Sequence, residues 1–109
     1  DHQNLQSFIP LQYQVNLRIL MGMSLNIERI FICLQGEPID AQLAVQACIA
    51  EMISAIGGRL ITEIGASNLG FDPTIHRSNQ NLQPGDRIQI IFPGICMNDD
   101  TLVRHAMVK

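Results

Sequence analysis

Charge is what this sequence lacks most. Only 16% of its 109 residues are charged, well below the roughly 25% of ordinary soluble domains, and Lys109 is its single lysine. Seven basic residues against ten acidic ones leave a formal charge of -3. That balance excludes the basic surface that phosphate neutralisation demands and sets nucleic acid aside as a partner. Long apolar runs are missing as well: none reaches the roughly 18 to 20 residues that cross a bilayer, so no membrane insertion is expected. Residues 1–10, "DHQNLQSFIP", have neither the basic start nor the apolar centre of a signal peptide, and a cytoplasmic location is the expectation. There is no C-x-x-C pair. Cys33, Cys48 and Cys96 are odd in number and far apart, which fits buried thiols in a reducing compartment rather than a disulfide framework or a zinc site. No metal and no cofactor are expected.

What is present is apolar residue and amide. Hydrophobic residues make up 47% of the chain, enough for one core in a chain of single-domain size. Ten Gln and seven Asn take the place of charge on the surface. The segment "LQYQVNLRIL" alternates, with Tyr13, Val15, Leu17 and Ile19 on one side and Gln12, Gln14, Asn16 and Arg18 on the other, the period of a half-buried strand. "GMSLN" then offers turn-permissive Gly22 and Asn26, and "IERIFICL" is a second β-branched and aromatic run. Together they predict an antiparallel hairpin over residues 11–34.

Asp40 is placed to cap a helix running from Ala41 to about Ile56, whose Leu43, Val45, Cys48, Ile49, Met52, Ile53 and Ile56 repeat at threes and fours. Gly57-Gly58 ends it as a left-handed cap. "RLITEIG" is a short strand, a loop-rich passage follows with one further strand near Thr74 to His76, and Pro84-Gly85-Asp86 makes the turn into "RIQIIF", where Ile88, Ile90 and Phe92 point inward. In the tail, Asp99 or Asp100 caps a short helix with Leu102, Val103, Ala106 and Met107 on one side. That side needs a cover, either the domain's own surface or a second copy of the chain.

This order of elements, with its "LQPGD" turn before the last strand and "FPG" after it, resembles the β-grasp (ubiquitin-like) family, and within it the small sulfur-carrier proteins of molybdopterin and thiamine synthesis. The resemblance covers Tyr13 to Gly94 and implies an α+β fold: a mixed four- to five-stranded sheet packed on one helix. The expected organisation is a flexible N-terminal segment over 1–10, a β-grasp domain over 11–94 and a C-terminal extension over 95–109. In the carriers a terminal Gly-Gly is the reactive end, whereas here Gly94 stands alone with further chain after it. A carrier role then requires processing at Gly94. Soluble small-ligand or glycan-binding β-grasp domains share the "L-x-P-G-D" strand and supply another alternative.

An enzyme needs a nucleophile, a base and an orienting group. The cysteines, His76 and His105 form no recognisable motif, and Asp99-Asp100 lacks the further oxygen ligands of a cation site. A non-catalytic adaptor that binds another protein is the leading reading. In a β-grasp sheet with Val15, Leu17, Ile88 and Ile90 inward, the open face would carry Leu20, Phe31 and Ile91, rimmed by Arg18, Arg87 and Gln89. Apolar side chains with an Arg rim are the composition of an interaction patch.

Overall fold

The computed structural model describes residues 2–109, with side chains from Leu11 onward. The flexible segment expected over 1–10 falls on residues whose side chains, and at Asp1 the backbone too, lie outside the described residues. The α+β class holds. Helices α1 (His2–Cys33) and α2 (Ile39–Ser54) precede eight short strands: β1 (Gly58–Ile61), β2 (Leu69–Gly70), β3 (His76–Ser78), β4 (Arg87–Ile88), β5 (Ile90–Phe92), β6 (Gly94–Met97), β7 (Leu102–Arg104) and β8 (Ala106–Val108).

The hairpin expected over residues 11–34 is instead part of α1. The β-grasp plan opens on that hairpin, so the two differ from the first element onward. The segment satisfies two periods at once. Alternation runs through Tyr13, Val15, Leu17 and Ile19, but Tyr13, Leu17, Leu20, Ser24, Ile27 and Phe31 also recur at fours and threes, and these are the residues α1 turns inward. Packing decides between the periods, because the helical one places Leu20, Ile27 and Phe31 together against Phe92, Ile95 and Met97. Gly22 and Asn26, read as a turn, are tolerated singly within the helix. α1 ends where Gly36 takes a positive φ of 89°, with Pro38 two residues beyond.

α2 begins two residues earlier than expected. Pro38 is its N-cap, and Asp40 lies in the first turn, where a carboxylate favours the positive end of the helix dipole. Gly57 takes the left-handed conformation after α2, with φ 79°, and β1 follows. The Pro84-Gly85-Asp86 turn forms as expected: Gly85 has φ 88°, and the Asp86 N–H donates to the Gln83 carbonyl at 3.0 Å.

In place of one mixed sheet there are three small ones, ordered β1-β6-β7, β2-β4 and β3-β8-β5. β5 passes through Pro93 into β6, and β7 through His105 into β8. A single long hairpin, turning at Asn98–Thr101, therefore runs through both three-stranded sheets. The tail expected to be helical forms β7 and β8. Asp99 and Asp100 shape the hairpin turn, the Asp99 carboxylate accepting the Thr101 N–H at 3.1 Å and Asp100 adopting φ 70°. Residues 95–109 are structurally central, since Ile95, Cys96, Met97, Ala106 and Val108 are all buried.

The main core joins Leu20, Ile27 and Phe31 of α1 and Ile49 and Ile53 of α2 to Phe92, Ile95 and Met97 of the hairpin. Phe31 and Phe92 stack with centroids 5.8 Å apart. A smaller cluster holds Ile88, Ile90, Ala106 and Val108, in keeping with inward Ile88 and Ile90. At the bend of the hairpin a Cβ on Gly94 would lie 2.7 Å from the Ala106 nitrogen and the Arg104 oxygen. Backbone fills that space and cannot yield as a flexible side chain does. Truncating Phe31→Ala should cost about 3 to 5 kcal/mol of unfolding free energy, and Gly94→Ala about 1 to 3 kcal/mol, both read from urea denaturation midpoints. Midpoints equal to wild type in both variants would overturn this packing.

Candidate interaction surface

Two of the six residues expected on an exposed sheet face lie at the centre of the core. Leu20 is 0% and Phe31 1% exposed, because both belong to the inner line of α1. Ile91 is half-buried against the same cluster. Arg18, Arg87 and Gln89 are exposed, Arg18 on the outer side of α1, Arg87 on β4, and Gln89 between β4 and β5. Gln89 exchanges both backbone hydrogen bonds with Lys109, at 2.9 and 3.0 Å. The expected patch is therefore divided between core and surface.

A different apolar surface takes its place. With one side of α1 committed to the core, Leu11, Val15, Ile19, Met21, Leu25, Ile30 and Ile32 remain between 43% and 59% exposed. The outermost line of the helix is Leu11, Val15, Arg18, Gly22, Leu25, Arg29 and Ile32, spaced alternately by four and three. Four of the seven are large and apolar, with Arg18, Gly22 and Arg29 between them. Midway along it a Cβ on Gly22 would meet nothing within 4 Å. α2 adds exposed Ile39, Leu43 and Met52. The signal for this surface was in the sequence, since large apolar residues recur outside the inner line as well as along it, but it is visible only once the period is read as helical.

The opposite side of α1 is held by polar contacts. Glu28 accepts from Arg77 of β3 at 2.8 Å and also from Arg104 of β7, so one carboxylate joins the helix to strands of both three-stranded sheets. Buried Gln46 of α2 accepts the Ile64 N–H at 2.7 Å, fixing the loop after β1. Near the start of the described part of α1, the Tyr13 hydroxyl donates to the Asp99 carboxylate at 3.0 Å and lies 2.9 Å from the Thr101 hydroxyl. Beside it is an open cleft of about 400 Å³ lined by Gln12, Tyr13, Asn16, Ile56, Met97 and Asn98 among others.

The cysteines are placed differently from expectation. Cys33 and Cys48, expected to be buried, are exposed, and Cys96 is buried. The reason is again the helical register, which turns Cys33 outward on α1 and Cys48 away from the sheets on α2. Burial pushes the Cys96 thiol above its ordinary range, which keeps it protonated and unreactive. Among the described residues no group of three or more His, Cys, Asp or Glu is placed to hold a metal ion, and no helix is long and apolar enough to cross a membrane. No protein-family model matches the chain, and neither a curated protein nor a solved structure matches it.

Asp99 and His76 carry shifts that a substitution can test. The Tyr13 hydrogen bond, followed by those from Thr101, holds the Asp99 carboxyl below the ordinary carboxylate range. Tyr13→Phe should raise the Asp99 pKa, as followed by carboxyl NMR titration; an unchanged value would rule out the contact. His76 is buried, and its Nδ1 accepts the Asp72 N–H at 2.9 Å. Burial lowers its pKa, the Asp72 carboxylate opposes that shift, and His105 adds to it. The unfolded chain therefore takes up the proton first, so stability falls as pH drops from about 7 through the unfolded value near 6.5 toward the lower folded value. Above that window His76 contributes no pH dependence. His76→Gln should flatten the slope of urea midpoints between about pH 7 and 5.5, and an undiminished slope would remove His76 as its source.

Proposed function

We propose that the chain is a non-catalytic module that binds a protein partner, and that the contact is made by the outer face of α1. The observation that carries this reading is the row of half-exposed large apolar side chains from Leu11 to Ile32. Isolated apolar residues on a surface are ordinary, but seven large ones on the exposed part of one helix, interspersed with Arg18 and Arg29, match the composition of an interaction site. The partner presents an apolar helical or flat surface, and the amide-rich remainder of the molecule keeps the rest of its surface wetted. The adaptor role expected from the sequence is thus kept, and its surface is moved from the sheet to the helix.

The sulfur-carrier alternative fares worse. Processing after Gly94 would remove most of β6 and all of β7 and β8, and with them Ile95, Met97, Ala106 and Val108 of the two cores, so the packing lends this reading no support. The small-ligand or glycan alternative has the cleft beside Tyr13 in its favour, where Gln12, Asn16 and Asn98 offer amide donors and acceptors around Ile56 and Met97.

The test is affinity purification from an extract of the native host with wild type and with a Val15→Ser/Ile30→Ser double variant. Both positions are exposed, so the variant should keep its circular dichroism spectrum and melting temperature while the partner recovered by wild type is lost. Undiminished recovery would place binding elsewhere on the molecule. Loss of a bound oligosaccharide on Asn16→Ala, with the α1 variant unaffected, would favour the cleft.

A further inference from the structure

We propose that His76 is an acid-sensitive latch: adding a proton to its imidazole releases residues 72–78, edge strand β3 included, from β8 while the rest of the molecule stays folded. A reciprocal pair of hydrogen bonds carries this inference. The His76 N–H donates to the Asp72 carbonyl at 2.8 Å, and the Asp72 N–H donates back to His76 Nδ1 at 2.9 Å. A ring nitrogen accepts only when it is unprotonated, so the imidazole is neutral in this arrangement, with its hydrogen on Nε2. An imidazolium has donors at both nitrogens. A proton on Nδ1 would face the Asp72 N–H donor against donor, at a residue only 6% exposed, and the ring has to leave to reach water. Among the described residues the titratable groups that face it are Asp72 on its own loop and His105 in the link between β7 and β8. The Asp72 carboxylate is turned to Thr74, accepting its N–H at 3.0 Å and its hydroxyl at 2.7 Å. Phe71, with its ring centroid 6.1 Å away, brings no charge.

Topology limits what opens. β3 is an edge strand, paired only with β8 in its sheet, and β8 keeps β5 on its other side. Upstream, Phe71 is anchored separately: its N–H donates to the Asp86 carbonyl at 2.7 Å, and its carbonyl accepts the Gly85 N–H at 2.8 Å. The segment therefore lifts away from a fixed point at Phe71. It gives up the bond from the Ala106 N–H to the Ile75 carbonyl, 2.9 Å long, and the parallel ladder from His76 to Ser78. A three-residue edge is the kind of unit that opens well below the free energy of global unfolding. Arg77 leaves with it, so Glu28 of α1 is left with Arg104 alone. Acid thus frees α1 from one three-stranded sheet and leaves it tied to the other.

Amide hydrogen exchange of the full chain, followed by NMR and expressed as protection factors, tests the latch. Between about pH 7 and 5 the protection of the Asp72, His76 and Ala106 amides should fall at least about threefold, with about 25-fold as the ceiling set by an ordinary imidazole in the open state. At the acid end these amides should exchange with little dependence on sub-denaturing urea, as a local opening does, while the Ile49 and Ile53 amides of α2 stay better protected and respond to urea. His76→Gln, whose side-chain oxygen can accept the Asp72 N–H without titrating, should abolish the fall, and His105→Asn should leave it in place. Protection that is constant over this range overturns the proposal. So does a fall that shares the urea dependence of α2, because the whole molecule then opens, or one that survives His76→Gln. Should His76→Gln fail to fold, the His76 ring protons of wild type decide: a ring that titrates while the Asp72 amide stays protected overturns the latch.

Discussion

Burial of the inner side of α1 is the constraint on which the other elements depend. The strands are two to four residues long, too short for any of the three small sheets to be stable alone in water. What holds the β1-β6-β7 sheet and the end of β5 is the apolar cover that Leu20, Ile27 and Phe31 supply from one side, joined by Ile49 and Ile53 of α2, while β2, β4 and β8 are held by the smaller cluster of Ile88, Ile90, Ala106 and Val108. Leu20 approaches so closely that a Cβ on Gly58 would be 2.7 Å from its Cδ2, so any larger residue at the start of β1 would have to displace that side chain. Phe31 lies on Phe92 at the point where the long hairpin bends from one sheet to the other. Glu28, clamped by Arg77 and Arg104, fixes the rotation of the helix over both sheets. A charge that is largely removed from water is tolerated there because two guanidiniums answer it.

For the proposed binding role, that fixed rotation sets which surface is offered. With the inner line determined by packing, the outer line is determined as well, because residues on opposite sides of a helix cannot be exchanged without a turn of the whole element. The apolar row from Leu11 to Ile32 is therefore presented on a rigid support. It loses little conformational freedom when it is covered, which favours binding through preorganisation. The sheets on the other side carry no comparable apolar patch, since Ile88, Ile90 and Phe92 are spent in the two cores.

Local chemistry determined a good part of this molecule from the sequence by itself. Helix α2 with its apolar spacing, the left-handed Gly57 after it, the Pro84-Gly85-Asp86 turn and the inward Ile88, Ile90 and Phe92 all depend on neighbours within a few residues, and the α+β class follows from them. The tertiary structure alone decided the rest. Residues 11–34 are apolar at both the twofold and the 3.5-residue period, so their local pattern is degenerate. Packing of Leu20 and Phe31 against the hairpin resolves it in favour of one continuous helix. The tail from Thr101 to Lys109 is similarly ambiguous until β8 finds β3 and β5 as neighbours. Those partners are distant in sequence, and no local signal names them. The proposed site moved with the helix: once Leu20 and Phe31 are required inside, Leu11, Val15 and Ile30 are left outside, and the apolar surface they form is the remainder of a packing choice made across the whole chain.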